Sequence, residues 1–282
     1  MKKTLLALLL GSLATFSLAE NQKITVCATK SPNGEILENI KPMLKQKGID
    51  LDIKYYNSYN DPAVMNHSIS NSQFAPKNPN KETISGSCTA NFFQNQAYLD
   101  AYNQIYKTNL ISVGSIFFVP FAVYATPDLS TSYKKDKNLA IFKNSMLAIT
   151  DSSVMEIRAE RIAESMGLLT FKSGNIAGLD DLVNNPYNLD IVKEDSAILP
   201  NIMLNKNSQL VVMNAYQAHL ERVPDSQIIY KEPVNPYYSN IVVTTAQNAN
   251  KPEIKELINA LRSDSSKSFI QSKYNGIVIP TF

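Results

Sequence analysis

The sequence predicts an α/β fold of mostly parallel sheets flanked by helices. Three observations predict it. Apolar β-rich segments alternate with helical segments from residue 23 to about 107, and a second set of alternations runs from residue 146 to the end. Such alternation lays helices on the faces of parallel sheets. The chain from residue 20 to 282 is also long enough for one large domain or two lobes. Sheets of this kind bind ligands at the carboxyl ends of their strands.

The elements follow in order. "KITVCAT" (23–29) reads as a buried strand, "KSPNG" as a loop, and "EILENIKPMLKQKG" as a helix ended by Gly48. "IDLDIKYY" (49–56) alternates apolar and polar residues as a second strand. "DPAVMNHSISNS" suits a short helix with Pro62 in its first turn. "SQFAPKNPNKE" (72–82) is polar with two prolines and reads as an exposed loop. "SCTANFF" is a third strand, "NQAYLDAYNQIYK" a helix, and "LISVGSIFFVPFAVYAT" a long apolar, β-rich run. "DLSTSYKKDKN" reads as a charged loop.

The second half opens with a strand at 146–150 and a helix at 155–166. Strand "LDIVKE", helix "SAILPNIMLNK" and strand "SQLVVMNA" follow, the last leading into a helix. "QIIYKEPVNPYYSNIVVTT" is a loop and strand, and helical stretches 251–262 and 265–273 close the chain.

The helix at 155–166 carries the most informative charge. Met155, Ala159, Ile162, Ala163 and Met166 share one face at 3.6-residue spacing, and Asp151, Ser152 or Ser153 can cap its first turn. Arg161 has Glu164 three residues on, a normal surface pair. Arg158 has no acidic residue within reach on its own helix and lies at the edge of the buried stripe. It needs an anion from elsewhere: a ligand carboxylate, or an Asp or Glu from another element.

Composition bounds the function. Lys2-Lys3, an apolar core from Leu5 to Leu10, and Ser17-Leu18-Ala19 form an export signal, with cleavage expected after Ala19. No cysteine sits at that point, so the reading is of a soluble periplasmic chain without a lipid anchor. Removing Lys2 and Lys3 from the 27 basic residues leaves them equal in number to the 25 acidic ones. That balance carries no basic footprint for nucleic acid. Two cysteines, Cys27 and Cys88, permit a disulfide in an oxidising compartment, or two buried thiols. With His67 and His219 as the two histidines, a zinc site is not expected.

Motifs of catalysis are missing. The chain has no G-x-G-x-x-G, Walker loop, G-x-S-x-G or H-E-x-x-H, and too few histidines for a nucleophile–base pair. The reading is of a non-enzyme with no cofactor. Aromatics gather near strand ends, among them Tyr59, Phe92, Phe93, Tyr237 and Tyr238, together with Asn91, Asn95, Asn214 and Asn240. Strands favour aromatics and turns favour asparagine, so each feature alone also fits plain packing. Taken with an unpaired arginine they suit a zwitterionic amino-acid ligand.

Several stretches together resemble the NlpA-type methionine-binding proteins, the substrate-binding components of ABC importers. They are "GIDLDIKYYNSYNDP", "TANFFQNQAYLDAYN", "LISVGSIFFVPFAVYA", "VVMNAYQA", "YYSNIVVTT" and "KYNGIVIPTF". The similarity runs from about Ile24 to Phe282. It implies a two-lobe periplasmic-binding-protein fold (type II-like), with two crossovers as the hinge. Lobe 1 would be residues 20–118 and 233–282, and lobe 2 residues 119–232. A monomer would bind methionine, a related amino acid or a short peptide in the interlobe cleft and pass it to a permease. The resemblance assigns Arg158 to the ligand carboxylate, Asn214 and Asn240 to polar contacts, and Tyr59, Phe92, Phe93 and Tyr238 to an aromatic wall. Asn95 stands where the family has a histidine. The chain also departs from the pattern at Asn33, Val119, Met155-Glu156-Ile157 and Asn214-Ala215-Tyr216.

In the implied fold the strands of Cys27 and Cys88 are neighbours and the two cysteines roughly level, which predicts a disulfide. The loop 72–82 is extra to the family pattern and is expected at the end of the sheet away from the ligand. Two other readings are an exported interaction protein or antigen that keeps the fold but has lost transport, and an exported hydrolase.

Overall fold

The structure is a computed structural model that describes residues 22–56, 78–174 and 178–282. The leader, the proposed helix after Asp61, Tyr59, His67 and residues 72–77 lie outside the described residues.

The chain opens with β1 (Gln22–Thr29), α1 (Glu35–Gln46) and β2 (Ile49–Tyr56), then α2 (Pro79–Ile84), β3 (Ala90–Asn95), α3 (Gln96–Tyr106) and β4 (Ile111–Phe118). It continues through β5 (Phe121–Ala125), α4 (Pro127–Asp136), β6 (Met146–Thr150), α5 (Ser153–Ser165), β7 (Thr170–Phe171), β8 (Leu182–Asn184) and β9 (Asp190–Glu194). Next come α6 (Leu199–Leu204), β10 (Leu210–Asn214), α7 (Ala215–Leu220) and β11 (Ile228–Lys231). β12 (Asn240–Thr244), α8 (Ala246–Ala249), α9 (Pro252–Leu261), α10 (Asp264–Tyr274) and β13 (Ile279–Pro280) end it.

These strands form two main sheets. The first has the order β13-β4-β12-β3-β1-β2 and the second β11-β5-β10-β6-β9. The α/β class is as the alternation predicts, but both sheets are mixed. β1 runs parallel to β2 and β3, and β6 parallel to β9 and β10. β12 is antiparallel to β3 and β4, and β5 is antiparallel to β10 and β11. The physical reason is the connection between sheets. Val119-Pro120 carries β4 of the first sheet into β5 of the second, and residues 232–239 carry β11 back to β12. A strand that enters from the other sheet comes in from the opposite end.

Each sheet has its own core. Ile36, Leu37, Ile40 and Leu44 of α1 bury one face against β1 and β2, with Ile254, Leu257 and Leu261 of α9 beside them. Each such side chain contributes roughly 1.5–3 kcal/mol on burial. Glu35 and Glu38 sit in the first turn of α1 and Lys45 in its last, matching the helix dipole. The second sheet packs Val123, Leu147, Ile149 and Val212 under Ala159, Ile162 and Met166 of α5.

Two segments that read as loops are helical. "DLSTSYKKDKN" contributes most of α4, whose start signals are Pro127 at the first position and Asp128 in the first turn. Its few apolar residues hid the period. The stretch read as an exposed loop ends in α2, where Asn78, Asn80 and Thr83 are buried. Their amides are consumed locally. Asn80 Nδ2 donates to Gln94 Oε1 (3.1 Å), Asn91 Nδ2 to Asn80 Oδ1 (3.0 Å) and Thr83 Oγ1 (2.8 Å), and Asn78 Nδ2 to the Tyr98 hydroxyl (3.2 Å). A buried polar network is tolerable only when satisfied in this way.

Cys27 and Cys88 form the predicted disulfide, with Cα atoms 5.9 Å apart. They are not level. Cys27 is registered with Asn91, and Cys88 lies in the bend that precedes β3. The bend curls back toward β1, where Thr89 N donates to Thr25 O (2.7 Å).

Candidate functional site

The facing ends of the two sheets enclose a cavity of about 600 Å³. Its walls are strand ends. Thr29, Asn95, Phe117 and Asn240 come from the first sheet, and Phe121, Thr150 and Asn214 from the second. Pairing puts Asn240 opposite both Asn95 and Phe117, and Asn214 opposite Phe121. The carboxyl ends of the parallel strands thus meet the starts of the antiparallel ones, the place where open α/β sheets hold ligands.

Six residues named from sequence line this cavity: Arg158, Asn214, Asn240, Tyr238, Phe93 and Asn95. Phe92 does not. It is fully buried in the core, its ring 5.6 Å from Phe117 in an edge-to-face contact. Phe93, Gln94 and Asn95, the last three residues of β3, reach the cavity, and Phe92 lies one residue deeper in the strand. Tyr59 lies outside the described residues.

Arg158 has a protein partner that its own helix could not reveal. Its Nε lies 3.1 and 3.2 Å from the two carboxylate oxygens of Glu232, and its Nη2 lies 2.6 Å from Oε2. Nη2 also donates to Val119 O (2.8 Å), and Phe121 N donates to Glu232 Oε2 (2.9 Å). The pair is 3% and 8% exposed. The guanidinium lies over Phe121 at 4.2 Å and Tyr238 at 4.5 Å. Arg158 therefore pins both connections between the sheets, touching Val119 on one and Glu232 on the other. Of the two anions left open for Arg158, the structure supplies the carboxylate from another element. Among the described residues no hydrogen bond engages Nη1, so that end of the fork remains to donate.

The asparagines are half committed. Asn214 Oδ1 caps α7, accepting from Tyr216 N (2.9 Å) and Gln217 N (3.1 Å). Asn95 Oδ1 caps α3 through Tyr98 N (2.9 Å). Asn240 Oδ1 accepts from Asn33 Nδ2 (3.3 Å). Each cap uses the acceptor and leaves the amide N–H groups. Burial raises the Tyr238 phenol above its ordinary range, so it stays protonated and neutral. Sequence reasoning named Tyr216 only as a departure from the family pattern, and it missed Glu232, Ser31 and Asp195. None sits in a local pattern that marks it.

The opposite side of α5 holds a carboxyl pair, Glu156 and Glu160. Glu160 is wholly buried and neither of its oxygens receives a hydrogen bond. Burial first, then the neighbouring Glu156, pushes its carboxyl up to about 8. A proton held between the two carboxyls supplies the missing donor. Glu156 is also paired with Lys193. Gly178, at φ +120°, lies so close that a Cβ there would be 3.2 Å from Glu156 Oε1. A side chain at 178 would be strained in backbone and crowd the pair.

Comparison with known proteins matches residues 72–282 to the NlpA lipoprotein family model. The methionine-binding lipoprotein MetQ of Bacillus subtilis is 30% identical over 92% of this chain and 88% of its own length. A nutrient-binding protein from Burkholderia cenocepacia, solved bound to methionine, is 25% identical with a TM-score of 0.74, covering 92% of this chain and 100% of that one. A periplasmic substrate-binding protein of an ABC transporter from Coxiella burnetii is 26% identical with a TM-score of 0.73, covering 92% of this chain and 100% of that one. The family description and the Bacillus relative are lipoproteins, which overturns the expectation of a periplasmic chain free of a lipid anchor. That expectation rested on the residue types around Ala19, in a segment outside the described residues.

Proposed function

The chain belongs to the NlpA lipoprotein family, and from that premise we propose that it is the substrate-binding protein of an ABC importer. It captures methionine, a related amino acid or a short peptide in the cleft and hands it to a membrane permease, acting as a monomer and catalysing nothing. The proposed division is two lobes, residues 20–118 with 233–282, and 119–232. Strand membership supports it, since β4 and β5 are separated only by Val119-Pro120 yet belong to different sheets.

One observation carries the ligand reading: Arg158, Asn214, Asn240 and two aromatic residues converge on one cavity of about 600 Å³. That size falls in the range of small-molecule sites, roughly 300–1,000 Å³. The Nη1 end of Arg158 takes the ligand carboxylate. The amide groups of Asn214 and Asn240 orient its polar end, and Phe93 and Tyr238 face its side chain. A thioether against aromatic rings is a favourable contact.

The test is a thermal-shift screen of ligand-stripped protein against L- and D-amino acids. A ligand that binds only the folded state raises the midpoint by mass action. Methionine should give the largest shift. No shift with any amino acid, at concentrations up to millimolar, would refute the reading.

A further inference from the structure

Tyr216 begins the turn after Asn214 and belongs to the second sheet's helix α7, yet its ring packs on the core of the first sheet. It meets Tyr274 of α10 edge to face, centroids 5.6 Å apart. Its hydroxyl lies 2.5 Å from Ser31 Oγ, in the segment that follows β1. The direction of that bond follows from proton counting. Ser31 has one hydroxyl proton and donates it to Glu35 Oε2 (2.8 Å), so Tyr216 is the donor to Ser31. Tyr274 donates to the same carboxylate oxygen at 2.6 Å, and Lys273 lies 3.6 Å from the other. Burial works against the charged form of Glu35, but the bonds from Tyr274 and Ser31 and the Lys273 ammonium outweigh it and hold the carboxyl below its usual value. The relay from Tyr216 thus ends on an anion, and a bond that feeds an ionised acceptor is stronger than a neutral one.

We propose that Tyr216 is a cross-cleft clasp, docking the second sheet's half of the molecule on Ser31 and Tyr274 of the first and limiting how far the cleft opens. The inference rests on the binding-protein reading for its consequence, which is slow release of ligand, but not for the contact itself. Tyr216 and Ser31 both line the cavity. The clasp therefore acts on the lining of the site itself, at residues other than Arg158's connections. It operates without ligand, because every partner in it is supplied by the protein. A ligand has to stabilise the closed arrangement by less when the protein already favours it.

The test is Tyr216→Phe, which keeps the ring and removes one hydroxyl. Small-angle scattering of the ligand-free protein should shift toward a more extended form. Dissociation of radiolabelled methionine should quicken by roughly five- to tenfold, the loss of one good hydrogen bond. Ser31→Ala should do at least as much, since it also removes the donor to Glu35, and the double variant should be no worse than Ser31→Ala alone, because that variant already breaks the Tyr216 link. Ligand-free scattering identical to the unmodified protein, with only a lowered Tm, would overturn the proposal and leave Tyr216 a packing residue. Fully additive effects of the two variants would overturn it as well. Should methionine fail to bind the unmodified protein while the scattering still shifts, the clasp stands and the methionine reading falls.

Discussion

Arg158 and Glu232, 74 residues apart in the chain, form a buried ion pair in which Nε and Nη2 grip one carboxylate. The guanidinium also reaches Val119 O, so a single side chain ties the outgoing connection between sheets to the returning one. Removing one partner of such a pair typically costs about 3–5 kcal/mol, because the other charge is left buried. Arg158→Ala should therefore lower the Tm of ligand-free protein by roughly 10 °C, read by calorimetry, and abolish ligand binding. Glu232→Gln should lower the Tm comparably but keep affinity within about tenfold, since Nη1 remains. Equal loss of binding in both variants would make the arginine purely structural.

Asn214 separates two duties. Its Oδ1 caps α7, while its Nδ2 is left for the cavity. Asn214→Asp retains the capping oxygen and replaces the N–H groups by an acceptor. Stability should change by no more than about 0.5 kcal/mol, because Asn and Asp are comparable caps. Affinity for a carboxylate ligand should fall at least tenfold by isothermal calorimetry. Unchanged affinity would take Asn214 out of the site.

Glu160 makes stability depend on pH with a definite sign. Its folded-state pKa, about 8, lies above the ordinary carboxylate value of 4.5, so between those values the folded protein holds a proton that the unfolded chain has lost. Stability then falls as pH rises through that window, and the loss is complete above pH 8. Glu160→Gln removes the term. It should raise stability clearly more at pH 8 than at pH 4.5, measured by urea unfolding. A gain that is equal at both pH values would exclude a shared proton as the cause.

The Cys27–Cys88 bond closes a loop of sequence separation 61. Cross-links of that span stabilise by about 4 kcal/mol in the chain-entropy model. The Cys27→Ser/Cys88→Ser variant should lose that much in denaturant titration and still bind ligand, since neither cysteine lines the cavity. Loss of binding in the folded variant would mean that the bond positions β1 and its following turn.

Much of this architecture was legible because its signals are local. The α1 stripe, the Asn95 and Asn214 caps and the apolar strands all lie within a few residues of themselves. What was hidden depends on distance in the chain. Glu232 could not be matched to Arg158 by any helical spacing. Phe92 and Phe93 are both buried, and how far the cleft reaches down β3 is set by the facing sheet, so the sequence alone does not say which one the cleft receives. Asn78 and Asn80 look like solvent-loving loop residues until Gln94, Asn91 and Tyr98 are brought beside them.

The place of β12 in the first sheet has a consequence for synthesis. All strands of the second sheet lie within residues 121–231, whereas β12, residues 240–244, fills the gap between β3 and β4. As the chain emerges from its N-terminus, the second sheet has all its strands while the first is still split in two. Until Asn240 appears, β3 and β4 each carry a bare edge, a template for pairing with another chain. A product cut short by some forty-five residues at the C-terminus would thus be sticky rather than merely inactive, and a nascent chain needs shielding until its final sixth is delivered.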